Sequence, residues 1–189
     1  MRVNRQCTDK EASLSTSGFT LLELLIMVGM IGLLSAIAAP NWIAFVNRLR
    51  LNTAQDQVYR GMQEAKSNAT LQKITWQFSV REVTVSGKPV VQWAVHPESI
   101  NPAIAPWHNL DSGIRLYTQE TTLHKDKKNG IQRVQFNYIG NTNAQLGQLT
   151  LTTDESSHVK RCVYVSTLIG TLRMGQENSQ PNQSNKYCY

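Results

Sequence analysis

Glu23 is the residue whose position most demands a chemical reason. From Phe19 to Ala39 the only polar side chains are Thr20, Glu23 and Ser35, and a carboxylate inside a membrane helix costs roughly 2.5–3.5 kcal/mol on insertion scales. A nearby cation would offset that cost. Cutting the chain behind Gly18 would free an amine on Phe19, which titrates near pH ~7.7–8.0 in unperturbed chains and is therefore largely protonated at neutral pH. That amine would lie about one helical turn from Glu23, roughly 6 Å along the axis. A neighbouring subunit displaced along a bundle could bring its own amine closer. This is the chemistry of assembly by charge neutralisation rather than of catalysis.

No other constellation points to bond breaking. His96, His108, His124 and His158 are dispersed, none pairs with a cysteine at zinc spacing, and there is no phosphate-binding glycine loop or nucleophile elbow. No catalytic residue, metal or cofactor is therefore expected, and the chain is not read as an enzyme. Trp76, Trp93 and Trp107 could serve a glycan or partner surface, although core packing is the more frequent use of such rings. The net charge of +6 allows acidic partners such as nucleic acid or anionic glycans, but equally a simply soluble surface. Two basic groups stand out: Lys160, Arg161, Arg173 and Lys186 near the chain end, and Lys125, Lys127, Lys128 and Arg133. Each is either an anion-binding surface or a solvated face.

The elements that must position Glu23 follow from hydropathy. The run Phe19–Ala39 reaches the ~20 residues needed to cross a bilayer as a helix. The polar residues 1–18 before it, with Arg2, Arg5 and Lys10, hold that end in the cytoplasm and place the remainder outside. An ordinary secretory signal competes, since Ala36-Ile37-Ala38 before Ala39 resembles a small-residue cleavage site. The apolar run is, however, longer than the ~7–15 residues of a signal core, and it carries Glu23. Cysteine usage fits the first topology. Cys7 lies in the cytoplasmic leader, leaving Cys162 and Cys188 as an even pair outside, able to form a disulfide that anchors the polar tail Gly175 to Lys186; two free thiols are the alternative.

Beyond Pro40, which would remove a helical hydrogen bond, the apolar residues Trp42, Phe45, Leu49, Leu51, Ala54, Val58, Met62, Ala65 and Ala69 recur at three- and four-residue spacing. That predicts an amphipathic helix over 41–71. Gly61 weakens it by about 1 kcal/mol relative to alanine. After Leu71 the texture turns β-branched and aromatic. Strands are expected at Ile74–Val80, Val83–Val85, Val90–Val95, Ile114–Thr118, Val134–Ile139, Leu149–Thr152 and Val159–Ser166, with a hairpin at Ser86-Gly87-Lys88. Pro97, Pro102 and Pro106 predict a long loop between His96 and Gly113, and the tail reads as loose apart from its cysteine.

Gly18-Phe19-Thr20-Leu21-Leu22-Glu23-Leu24 resembles the processing motif of type IV prepilins and type II secretion pseudopilins. The resemblance implies cleavage after Gly18 by a prepilin peptidase, N-methylation of Phe19, subunit docking through Glu23 and a helix-loosening role for Pro40. It implies an α+β, pilin-like fold: a leader 1–18, a transmembrane or filament-core helix 19–40, the amphipathic helix 41–71, and an antiparallel β-rich head 72–189 with a disulfide-anchored tail. Its implied partners are other pilins or pseudopilins, the peptidase and the inner-membrane assembly machinery. The implied location is the bacterial inner membrane, single-pass with the head outside the cytoplasm, and then a pilus or pseudopilus.

Phe136-Asn137-Tyr138-Ile139-Gly140, Leu149–Thr152 and Cys162-Val163-Tyr164-Val165-Ser166 with Gly170-Thr171-Leu172-Arg173 resemble the C-terminal pattern of the GspH/FimT branch. Some members of that branch bind DNA for natural transformation through Gly-Arg-x-Arg. Here the first arginine is replaced by Thr171, which removes one of two phosphate contacts. Lys160, Arg161, Arg173 and Lys186 could compensate as a cluster near the chain end, as could Lys125, Lys127, Lys128 and Arg133.

Overall fold

In the computed structural model, residues 18–127, 129–143, 145–153 and 156–189 are described; the leader with Cys7, and Lys128, lie outside them. Among the described residues, one long helix, α1 (Leu21–Gln72), is followed by nine strands. By internal contacts the chain divides into two units after Trp42, so the second half of α1 belongs with the strands. The helix assignment runs through Pro40, whose side-chain surroundings lie outside the described residues.

In the first unit the apolar side chains Leu21 to Leu34 are exposed, and the segment is long and apolar enough to cross a membrane. In the second unit the helix buries one stripe. Leu51, Ala54, Val58, Met62, Ala65 and Ala69 are all at or near zero exposure, following the three- and four-residue spacing of one helix face. Each of the larger ones contributes about 1.5–3 kcal/mol by leaving water. Phe45 and Leu49, expected on the same stripe, are exposed instead; the core cluster's helix residues begin at Leu51.

The strands form two antiparallel sheets rather than a single one. The first contains β1 (Trp76–Val85), β2 (Lys88–Pro97), β3 (His108–Asn109), β5 (His124–Lys125) and β6 (Gln132–Phe136), in the order β3-β2-β1-β6-β5. The second contains β4 (Ile114–Leu116), β7 (Gly147–Thr153), β8 (Ser156–Val165) and β9 (Leu172–Gln176), in the order β4-β7-β8-β9. One core joins both sheets to the helix: Phe78, Val80, Val91, Val134 and Phe136 from the first, and Ile114, Leu149, Leu151, Val163 and Val165 from the second.

Several boundaries differ from the sequence reading. The two short runs expected before the hairpin are one strand, β1, because the polar pair Arg81-Glu82 keeps its ladder positions opposite Gln92 and Val91. Ser86 and Gly87 form the two-residue turn between Val85 and Lys88, both at positive φ, as a tight hairpin of matching twist requires. β6 ends at Phe136 because Asn137 Oδ1 accepts from the backbone N–H of Ile139 and Asn141 and curls the chain into a turn. The segment 97–107 is not free loop. It contains a 3-10 turn at Pro102–Ile104 capped by Asn101, and it lies over the outward polar side of β1, where Arg81 sits 4.0 Å from the Trp107 ring and Glu98 accepts from Gln135. The tail is ordered too. Glu177 bridges Cys188, Asn178 N–H donates to Tyr187 O, and Asn182 Oδ1 holds the turn by accepting from Ser184 and Lys186 N–H.

Candidate functional site

The start of α1 carries Gly18, Phe19 and Glu23, and the second sheet with the tail carries Lys160, Arg161, Arg173 and Lys186; of the other basic group, Lys125 and Arg133 lie in β5 and β6 of the first sheet.

At the helix start, Thr20 is the cap. Its hydroxyl accepts from Glu23 N–H at 3.2 Å, and its carbonyl accepts the first helical bond, from Leu24 N–H at 3.1 Å. Thr20-x-x-Glu23 is thus half of a capping box, with the carboxylate in the first turn where the helix dipole favours negative charge. This local role was legible in the sequence as a Thr followed three positions later by Glu, and the assembly reading passed over it. Gly18 and Phe19 precede the helix; Phe19 is exposed. A Cβ placed on Gly18 would meet nothing within 4 Å, and its φ does not lie in the left-handed region. Packing among the described residues therefore does not ask for glycine at position 18.

On the second sheet the four basic residues do not form a free patch. Lys160 Nζ is 2.6 Å from Glu120 Oε1, with both side chains under a tenth exposed, and it lies 4.0 Å from the Tyr117 ring. Glu120 also accepts from Cys188 N–H. Burial by itself would raise the Glu120 pKa, but the Lys160 hydrogen bond, the Cys188 and Tyr187 backbone N–H groups and the lysine's charge outweigh it and hold the carboxyl below its ordinary value. Arg161 donates to Asn52 Oδ1, Lys160 O and Glu177 Oε2. Lys186 donates to Thr122 Oγ1 and Gln148 Oε1; burial lowers its pKa, while the charge of Glu120 partly restores it. Only Arg173, opposite Tyr164 in β9, stands exposed.

The glycine of Gly170-Thr171-Leu172-Arg173 has a structural reason. It sits at φ 71°, and a Cβ there would lie 2.5 Å from the Gly140 carbonyl oxygen. Lys66 of the helix donates to the carbonyls of Ile169 and Gly170, so this turn is tied to the helix. Cys162 and Cys188 are joined in a disulfide with Cα atoms 6.0 Å apart, which fixes the tail on β8. Gln55, buried on the apolar helix stripe, donates to Cys162 O and Gly175 O. A polar residue at a stripe position was the available signal for that anchor.

No family model matches the chain, and no curated protein matches it. Among solved structures, the type IV minor pilin FimU of Pseudomonas aeruginosa overlays in one crystal form with TM-score 0.48 and 14% identity, covering 69% of this chain and 91% of that one. A second crystal form of FimU gives 0.46 at 13% identity, over 66% and 91% of the two chains. The minor pseudopilin EpsH from the type 2 secretion system of Vibrio cholerae gives 0.41 at 13% identity, over 66% and 95%. The arrangement built above, one long N-terminal helix and antiparallel sheets, is the α+β architecture expected from the sequence.

Proposed function

We propose that the chain is a minor pilin or pseudopilin, a structural subunit of a type IV pilus or type II secretion pseudopilus. The observation that carries the reading is the motif Gly18-Phe19-Thr20-Leu21-Leu22-Glu23 opening an apolar helix whose side chains are left exposed. Exposed Leu, Ile, Val and Met over such a length need lipid or other helices around them. Glycine at 18, which no packing among the described residues requires, answers to recognition by a prepilin peptidase. The freed amine on Phe19, N-methylated after cleavage, then neutralises Glu23 of a neighbouring subunit, and Gly32 and Ala36 let packed helices approach closely. Pro40 loosens the helix before the head. The subunit waits in the inner membrane with its head outside the cytoplasm and is drawn into the filament by the assembly machinery. The disulfide suits that compartment.

A nucleic-acid role through the basic group near the chain end would have to rest on Arg173 and Lys186, because Lys160 and Arg161 are neutralised within the fold; of the other basic group, Lys125 and Lys127 are exposed. Deleting the gene and assaying piliation, protein secretion and DNA uptake separately tests the proposal. Loss of piliation or secretion is expected. Loss of DNA uptake with both others intact would favour the receptor reading instead.

A further inference from the structure

The tail and the outer face of the second sheet enclose an open cavity of about 420 Å³, within the size of ordinary small-ligand pockets. Its walls combine two tyrosines, Tyr164 and Tyr189, and the apolar Leu146 with Asn182, Ser184 and the ammonium of Lys186. The cavity exists because the tail is held in place by the Cys162–Cys188 bond and by Asn178 Nδ2 donating to Tyr189 O.

Lys186 is the unusual member. The residue is part-buried, and its Nζ has two neutral acceptors, Thr122 Oγ1 at 3.2 Å and Gln148 Oε1 at 3.3 Å. Among the described residues no carboxylate reaches it, since Glu120 is held by Lys160 at 2.6 Å. An ammonium has three donors, so one remains for a ligand; the charge of Glu120 acts on this ammonium without a hydrogen bond to it, which leaves that donor open to an anion. Around it, amides and hydroxyls offer donors and acceptors to a polyhydroxylated molecule. Aromatic walls with a few convergent polar groups make a pocket that orients one ring. The charge count selects among anions. A nucleic acid presents a row of phosphates and calls for a track of cations, whereas the described residues lining this cavity include one, Lys186.

We propose that this cavity binds an acidic saccharide, a uronate-type ring with its carboxylate on Lys186. The site would let the head hold an anionic glycan whether or not the chain enters a filament.

The test is a titration of the detergent-solubilised full chain, by calorimetry or ligand-observed NMR, with digalacturonate and with its neutral methyl ester. Saturable binding of the acid, at least tenfold tighter than the ester, is expected. Lys186→Met should remove that preference, Lys186→Arg should retain it, and Lys88→Met, which deletes an equal charge at the β1–β2 turn, should leave it unchanged. Unchanged thermal midpoints show that the variants fold. Absence of saturable binding, equal binding of acid and ester, or insensitivity to Lys186→Met would overturn the proposal. So would a tighter, Lys186-dependent complex with oligothymidylate, which would give the cavity to nucleic acid.

Discussion

A methyl group on Gly61 would lie 2.8 Å from Cζ3 of Trp93 and 2.9 Å from Cε2 of Phe78. The helix and the first sheet approach closely at a position where the helix has no side chain. Gly61→Ala gains about 1 kcal/mol of helix propensity but overpacks the contact, which costs roughly 1–3 kcal/mol. A net lowering of the head's thermal midpoint is expected in the detergent-solubilised chain. A raised midpoint would show that the rings have room to move.

Glu120→Ala leaves the Lys160 ammonium buried without its partner. A loss of about 3 kcal/mol is expected from chemical denaturation. Combining Glu120→Leu with Lys160→Met should recover at least part of it, because the unpaired charge is then gone. Equal losses in the single and double variants would mean that the pair acts only through Glu120's bond to Cys188 N–H.

His96 supplies an acid-sensitive element. It is buried in β2, within 3.2 Å of Gln77 Nε2 and Ser79 Oγ, with Nδ1 2.9 Å from Pro97 O; Glu98 and Arg133 are the charged groups of this polar layer. Burial lowers its pKa, the Pro97 bond opposes that, and the Arg133 charge adds to it. The folded state therefore keeps the ring neutral while the unfolded chain takes up a proton below about pH 6.5. Stability from this group is intact above that value and falls as the pH drops toward the lowered folded pKa. Thermal midpoints at pH 7.5 and 5.5 should differ less for His96→Gln than for the parent. Equal differences would assign the acid sensitivity elsewhere, with Glu120 acting at lower pH, where its depressed carboxyl takes up a proton.

Thr20 and Glu23 allow capping to be separated from assembly. Glu23→Gln keeps a capping-box residue but removes the charge, whereas Thr20→Ala weakens the helix start by about 1 kcal/mol and keeps it. Thr20→Ala should still enter sheared filaments, while Glu23→Gln should reach the membrane and be missing from them. Recovery of Glu23→Gln at parental levels would reduce Glu23 to a capping residue.

Much of this fold was legible because strong periodicity leaves little choice. The spacing from Leu51 to Ala69 marked the buried helix stripe, and Ser86-Gly87 marked the hairpin. The edge strands β3 and β5 were missed because two residues carry no alternation to read, and β9 because Arg173, Met174 and Gly175 follow no apolar period. The basic residues near the chain end were misleading for a physical reason. Lys160 looks like surface charge in a strand, but its partner Glu120 arrives from a separate segment, and only the folded sheet brings them to 2.6 Å. The tail read as loose apart from its cysteine because its polarity and Cys188 were visible and the turn held by Asn182 was not.

The central claim concerns residues 18 to 23, and the N-terminus of the mature protein tests it most directly. Mass spectrometry of the N-terminal peptide, taken from the chain expressed with a prepilin peptidase, should show a start at Phe19 bearing an N-methyl group. A start at Ala39, or an uncut chain in the presence of active peptidase, would contradict the filament-subunit account.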